Sequence, residues 1–99
     1  MCGATAGGPS TAGLDLTDAT IVQGIVTRDG EPVGNAYVRL LDGGGEFTAE
    51  VPTSVTGQFR FFAAPGTWTV RTLAPKASAV DRTVVAARGE VAEVEVAIA

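Results

Sequence analysis

Histidine is absent from the 99-residue chain, and cysteine occurs only once, at Cys2. Without histidine the chain has no Ser–His or Cys–His nucleophile pair and no His-ligated metal site. A single cysteine can form neither an intramolecular disulfide nor a cysteine-based zinc site. These absences argue against an enzyme, and we expect no metal and no cofactor.

Charge is also scarce, at 18% of residues, and the net charge is −4. The arginines are scattered and Lys76 is the only lysine, so no basic patch for nucleic acid or anionic lipid is expected. No apolar run approaches the ~20 residues of a membrane span. The beginning of the chain has no basic and apolar signal segment, and the one thiol lacks a disulfide partner. We therefore expect a cytoplasmic protein with no nucleic-acid or membrane partner.

Short strand-like segments separated by glycine, proline and aspartate dominate the chain from Thr20 onward. This spacing predicts an all-β, seven-stranded antiparallel sandwich with almost no helix. The predicted strands are Thr20–Arg28, Ala36–Leu41, Glu46–Pro52, Gln58–Phe62, Thr67–Leu73, Val80–Val85 and Val91–Ile98. Residues 1–19 are rich in Gly, Ala, Ser and Thr and are predicted to be a flexible N-terminal tail, followed by a domain over residues 20–99.

Alternation within the strands divides the side chains into a core and an outward set. The predicted core is Val38, Leu40, Phe59, Phe61, Trp68, Val70, Val94 and Val96. The outward set, Tyr37, Arg39, Leu41, Arg60 and Phe62, mixes aromatic, aliphatic and arginine side chains, as partner-binding surfaces do. We take these five residues as candidates for partner binding. The alternative is that residues 14–19 cover this face.

Three acidic residues, Asp42, Glu46 and Glu50, lie around a glycine-rich loop. Clustered carboxylates can bind hard cations, but their spacing here matches no calcium loop. A solvated loop is the favoured interpretation, and no metal ligand is predicted.

Two runs of motif residues carry a resemblance to a known family. They are Gly24-x-Val26-x-x-Asp29-Gly30-x-Pro32-Val33-x-Asn35-Ala36-x-Val38-x-Leu40, and Ser54-x-Thr56-Gly57-x-Phe59-x-Phe61 followed by Pro65-Gly66-x-Trp68-x-Val70. Together they resemble the carboxypeptidase-regulatory-like family, whose members have the transthyretin-like (prealbumin-like) sandwich. The family usually has Thr-Asp where this chain has Ser54, and Tyr where it has Trp68. The resemblance implies the fold, but its motifs form turns and core and say little about activity.

A narrower resemblance covers the whole chain. The segments that carry it are Met1-Cys2, Leu40-Leu41-Asp42, Glu46-Phe47-Thr48-Ala49-Glu50-Val51 and Phe59-Arg60-Phe61-Phe62-Ala63-Ala64-Pro65-Gly66-x-Trp68. The chain is similar to small actinobacterial proteins of sulfur metabolism whose genes lie beside that of a thiosulfate sulfurtransferase. This implies a non-catalytic accessory protein, monomeric or weakly oligomeric, that binds a thiosulfate sulfurtransferase (rhodanese).

Cys2 is the candidate sulfur acceptor. A methionine aminopeptidase removes Met1 before a small second residue, which leaves Cys2 with its α-ammonium beside its thiol, and the ammonium favours the thiolate. Such a thiol could accept a persulfide sulfur from a partner. The alternatives are an inert thiol and a purely structural or protein-binding module in which Cys2 has no role.

Overall fold

The computed structural model describes residues 19–98, which form eight strands and no helix. The strands are β1 (Ile21–Arg28), β2 (Glu31–Pro32), β3 (Tyr37–Leu41), β4 (Phe47–Pro52), β5 (Gln58–Phe62), β6 (Gly66–Leu73), β7 (Val80–Ala86) and β8 (Val91–Ile98). The all-β sandwich is therefore confirmed. The strand beyond the seven predicted is β2, which has only two residues. No helix among the described residues is long and apolar enough to cross a membrane.

The strands form two sheets. In the first sheet, β1 is central: β5 and the short β2 pair with one of its edges in antiparallel fashion, and β8 pairs with the other. The second sheet is antiparallel in the order β4-β3-β6-β7. One pair departs from the expected antiparallel pattern, since β8 runs parallel to β1 over their whole length. Because β8 follows β7, which belongs to the other sheet, its connection crosses between sheets, and this crossing permits the parallel direction.

Turn residues fix where the strands reverse. Asp29 and Gly30 both have positive φ, 52° and 82°, as a type I′ turn requires, and this turn joins β1 to β2. At the turn before β5, Gly57 has φ 75° and its N–H donates to the Ser54 carbonyl at 2.8 Å. Both Asp-Gly and Thr-Gly turns thus lie where the sequence predicts them.

Ser54 stabilises the turn before β5 with its side chain. Its Oγ accepts the backbone N–H groups of Thr56 and Gln58 at 3.3 and 3.2 Å. These are the bonds that an aspartate at this position can make, because a short side-chain oxygen reaches the backbone two residues ahead. The serine therefore stabilises this turn in the way that an aspartate would.

The core lies between the two sheets and is formed by the predicted alternation. Seven of the eight predicted core residues are buried: Val38, Leu40, Phe59, Phe61, Val70, Val94 and Val96. Trp68 is the exception, since it is only half-buried and packs against the margin of the core. Its indole N–H donates to the Ala64 carbonyl at 2.8 Å. A tryptophan needs a partner for this polar group, and this bond holds the ring at the end of the sandwich rather than at its centre.

Candidate functional site

The five predicted partner-binding residues lie on two different sheets. Tyr37, Arg39 and Leu41 belong to β3 in the second sheet, whereas Arg60 and Phe62 belong to β5 in the first. In each strand they alternate with core residues, so they point to the outer face of their own sheet. Because the sheets pack through their inner faces, the two outer faces point in opposite directions. The structure therefore does not bring these five residues together.

The outer face of the second sheet, here called the β3 face, carries several exposed hydrophobic side chains. Of the five large hydrophobic side chains that are exposed among the described residues, three lie on it: Tyr37 (52%), Phe47 (62%) and Val85 (68%). Phe47 comes from β4 and Val85 from β7, the two edge strands of the sheet. Sequence reasoning missed both, because neither strand was assigned an outward face. The alternation of β7, where buried Val84 and Ala86 flank Val85, could have revealed the second.

A row of four charges crosses the β3 face from edge to edge. Strand register places them side by side in the order Glu50, Arg39, Arg71, Asp81. Arg39 Nε lies 2.7 Å from Glu50 Oε2, and Arg71 forms two bonds to the Asp81 carboxylate, from Nε at 2.9 Å and from Nη2 at 3.0 Å. The two guanidinium groups thus occupy the middle of the sheet, and each is paired with a carboxylate on an edge strand.

These pairs orient the arginines more than they stabilise the fold, because all four side chains are well exposed to solvent. The hydrogen bond from Arg71 lowers the pKa of the Asp81 carboxyl below its ordinary value. The Arg39 guanidinium also lies over the Phe47 ring, 5.9 Å from its centroid, in cation–π range. The β3 face is therefore a mixed surface of fixed arginines and exposed aromatic rings, with no net charge along the row.

Leu41 does not contribute to this surface, although alternation predicts that it points outward. Its side chain is only 5% exposed. It lies on an inner strand between Phe47 of β4 and Thr69 of β6, next to the register shift between Leu40 and Leu41. Tyr37 also has strand neighbours on both sides, Pro52 and Leu73, so Leu41 differs from it in lying beside the register shift and opposite the Phe47 ring.

Arg60 and Phe62 lie on the outer face of the first sheet. Arg60 Nε donates to Gln23 Oε1 at 2.8 Å, and Gln23 Nε2 donates to Glu93 Oε2 at 2.9 Å. Gln23 is buried and joins the positive charge on β5 to the negative charge on β8 across β1. Phe62 is 66% exposed at the end of β5. Arg60 thus belongs to a network within its sheet, and Phe62 is the exposed apolar group of this face.

Two of the three acidic residues around the glycine-rich loop, Asp42 and Glu50, have side-chain roles within the fold. Asp42 Oδ1 accepts the backbone N–H groups of Gly44 and Glu46 at 2.9 and 3.0 Å, so it closes the turn between β3 and β4. Glu50 is paired with Arg39, as described above. Within residues 19–98, no three histidine, cysteine, aspartate or glutamate side chains are grouped to hold a metal.

A shallow, open groove of about 440 Å³ lies at the side of the sandwich where β4 and β5 face each other. Val51 and Phe59 supply its apolar surface, and Thr53 and Ser54 supply its hydroxyl groups. Thr53 Oγ1 donates to the Val33 carbonyl at 2.7 Å and accepts the Ala36 N–H at 3.0 Å. The Thr53 hydroxyl thus binds the backbone between β2 and β3, and the Ser54 hydroxyl binds the backbone of its own turn, so both serve the fold and neither is arranged as a nucleophile beside a base.

The remaining site prediction, Cys2, lies outside the residues that the structure describes, as does the segment 1–18 of the predicted tail. Comparison with known families extends over this segment. Residues 2–98 match the family described as "Protein of unknown function (DUF1416)". The chain belongs to this family.

Its relatives include uncharacterized mycobacterial proteins. One from Mycolicibacterium smegmatis is 64% identical over 63 residues, which cover 63% of this chain and 70% of the relative. Two from Mycobacterium tuberculosis strain H37Rv are each 59% identical over 63 residues, which cover 63% of this chain and 63% of each relative. The matched segment thus spans less than two thirds of the tuberculosis proteins.

Solved structures with a similar fold are domains of dioxygenases. The dioxygenase domain of a dioxygenase carbohydrate-binding protein fusion from Streptomyces sp. SirexAA-E superposes with a TM-score of 0.62 at 12% identity, covering 81% of this chain and 79% of that one. For 3-chlorocatechol 1,2-dioxygenase from Rhodococcus opacus 1CP, the TM-score is 0.59 at 10% identity, over 82% of this chain and 59% of that one. At such identities the likeness shows the fold alone.

Proposed function

We propose that this member of the family is a non-catalytic accessory protein of sulfur metabolism that binds a thiosulfate sulfurtransferase (rhodanese) and accepts sulfur on Cys2. The observation that carries the binding part is the β3 face, where two arginines held by carboxylates share one surface with the exposed rings of Tyr37 and Phe47. The sulfur part is supported by the resemblance to actinobacterial proteins of sulfur metabolism. The actinobacterial source of the mycobacterial relatives agrees with that resemblance.

The composition of the β3 face suits protein binding. Aromatic and arginine side chains supply most of the energy at protein interfaces, and Tyr37, Phe47 and Arg39 offer both kinds within one patch. The backbone under the patch is a four-stranded sheet, and Glu50 and Asp81 hold the guanidinium groups in place. Binding to such a surface orders few new side chains, and this lowers the entropic cost of association.

Transfer of sulfur to Cys2 needs no oxidant beyond the loaded partner. The Cys2 thiolate attacks the outer sulfur of a persulfide on the sulfurtransferase. The sulfur–sulfur bond of that persulfide breaks as a new one forms on Cys2, and the partner's cysteine leaves as a thiolate. The electron count is conserved, and the α-ammonium beside the thiol favours the attacking thiolate.

The second candidate function is protein binding with no role for Cys2. The same β3 face favours it, because nothing in the surface chemistry of residues 19–98 requires sulfur. The two candidates share an interface and differ only at Cys2. Two experiments therefore separate them, one on binding and one on transfer.

Binding is tested by titrating the purified sulfurtransferase with Tyr37→Asp and with the control Phe62→Asp. Both variants replace an exposed aromatic ring at a strand end with a carboxylate. Tyr37 lies on the outer face of the second sheet and Phe62 on that of the first. We expect Tyr37→Asp to weaken binding by about tenfold or more, which corresponds to at least ~1.4 kcal/mol, and Phe62→Asp to bind as the wild type. The reverse result would place the interface on the first sheet. Unchanged binding in both variants, with both folded by circular dichroism, would refute an interface on either outer face.

Transfer is tested by intact mass after incubation with a sulfur-loaded sulfurtransferase. We expect a gain of one sulfur in the wild type, its removal by dithiothreitol, and no gain in Cys2→Ser. A wild-type mass that never changes while the partner still binds would eliminate the relay and leave the protein-binding module.

A further inference from the structure

Strand β8 is an edge strand of the first sheet within residues 19–98. Among the described residues it pairs only with β1, along all eight residues and without a register shift. The Ile21 N–H donates to the Glu90 carbonyl at 3.2 Å, and this bond sets the phase of the parallel ladder. In that phase the even-numbered residues of β8 bond to β1. Val91, Glu93, Glu95 and Ala97 therefore direct their N–H and C=O groups away from β1, to the edge.

Such an edge is a template for another strand, since each unpaired N–H and C=O can be matched by an extended chain. Strand β8 contains no proline, which would interrupt the pattern, whereas the edge strand β4 ends in Pro52 and has a register shift against β3. The buried residues Val94, Val96 and Ile98 anchor β8 from the inner face. The edge is thus regular, long and firmly held.

The side chains beside this edge are acidic. Glu93 and Glu95 both point to the outer face of the first sheet, and Glu95 is exposed. One Glu93 carboxylate oxygen accepts from Gln23, and the other, Oε1, is buried without a hydrogen-bond partner among the described residues. Cross-strand neighbours of opposite charge stabilise a sheet, and directly opposed like charges destabilise it. A strand added at this edge is favoured if it carries basic side chains opposite the two glutamates.

This charge pattern argues against pairing with a second copy of the chain in a register that opposes the two glutamates. An antiparallel second copy centred on Val94 would set Glu93 beside the second copy's Glu95, twice over because of the two-fold symmetry. We infer that the β8 edge binds an extended segment of a partner protein that carries Lys or Arg at alternate positions and becomes an added strand of the first sheet. This edge lies on the first sheet and is separate from the β3 face, so the inference does not depend on the proposed sulfurtransferase.

The probe is the synthetic peptide acetyl-Thr-Arg-Val-Arg-Val-Arg-Thr-amide, titrated into the isotope-labelled full chain and followed by amide hydrogen exchange. We expect the Glu93, Glu95 and Ala97 amides to exchange fast in the free protein and to slow by about tenfold or more with bound peptide. Alternate N-methylation of the peptide removes donors without changing its charge and should abolish binding. Glu95→Lys should weaken binding by about tenfold, or ~1.4 kcal/mol, while Glu31→Lys, a matched change on the two-residue β2, should not.

Several outcomes would overturn the inference. Slow exchange of these amides in the dilute free protein would mean that the edge is already covered. Protection that rises with protein concentration would identify a second copy as the occupant. Peptide binding that leaves these amides unchanged, or survives N-methylation, would reduce the effect to charge attraction. No binding up to millimolar peptide would refute the edge as a binding site for a basic strand. An edge that binds no strand at all would leave the glutamates only the role of keeping it from pairing.

Discussion

Gly24 occupies the closest approach of β1 and β8, and its replacement by alanine gives the sharpest test of the fold. A Cβ at this position would lie 1.7 Å from the Val94 carbonyl oxygen and 2.8 Å from its carbon. Real Cβ atoms do not come within 3.0 Å of such atoms. The two strands would have to separate by about 1.3 Å at this point, because the obstacle is backbone and cannot rotate away.

The cost follows from the ladder bonds on either side of Gly24. Gln23 and Ile25 are the residues of β1 that bond to β8 here, and stretching their bonds by more than an ångström removes most of their contribution. At ~1 kcal/mol for each of two to four bonds, the loss is about 2–4 kcal/mol. Alanine is normally better than glycine inside a strand by roughly 0.5–1 kcal/mol, so the two effects have opposite signs. We expect the clash to dominate and Gly24→Ala to lower the free energy of unfolding by about 2–3 kcal/mol.

Urea unfolding, monitored by tryptophan fluorescence, measures this change in the free energy of unfolding. Trp68 is the single tryptophan and therefore the reporter. For a domain of this size the expected loss corresponds to a melting temperature lower by about 10 °C or more. Gly44→Ala is the matched control, because its Cβ would meet only Asp42 Oδ1, at an ordinary 3.5 Å. A Gly24→Ala protein as stable as the wild type, or more stable, would show that β1 and β8 do not approach as closely as the structure has them.

Three further predictions concern stability. Phe61→Ala should cost about 3–5 kcal/mol in urea unfolding, because it removes a buried ring that packs against Phe59; an unchanged midpoint would mean that the strand phase is wrong. Thr72→Val should raise stability by about 1 kcal/mol, since the buried Thr72 hydroxyl has no partner among the described residues; a loss would reveal a bond that the hydroxyl makes. Because Arg71 lowers the pKa of Asp81 when folded, that pair's contribution should be present at neutral pH and lost as the pH falls through the folded pKa, and Asp81→Asn should remove this acid dependence.

Much of the fold could be predicted because turns and alternation are local signals. The short turns require positive φ values at Asp29, Gly30 and Gly57, and the Asp-Gly and Thr-Gly pairs in the sequence predict these turns. The buried residues of β5 and β8, and Val38 and Leu40 of β3, follow from the period of two, whereas the burial of Leu41 does not. The parallel direction of β8 could not be predicted in this way, because it depends on which sheet each strand joins.

The candidate site was harder to predict for the same reason. Alternation correctly predicts that Tyr37 and Phe62 point away from the core. It cannot say that they lie on opposite outer faces until the strands are assigned to sheets. The charge row shows the point most clearly, since Arg39 and Asp81 belong to strands that pair only through β6. Its parts are far apart in the chain, and only strand register reveals that they are neighbours.

The difference between the two outer faces also follows from the strand register. On the second sheet, carboxylates on the edge strands hold two arginines at the centre, so the polar groups stay at the surface and the exposed rings of Tyr37 and Phe47 lie beside them. On the first sheet, the buried Gln23 takes the central place and its amide bonds to both Arg60 and Glu93, whereas Glu95 stays exposed beside the edge. One face thus offers oriented side chains to a partner's surface, and the other offers the backbone of its β8 edge. The β3 face recognises a partner through that partner's side chains, whereas the β8 edge requires an extended segment. The two binding tests therefore use different probes.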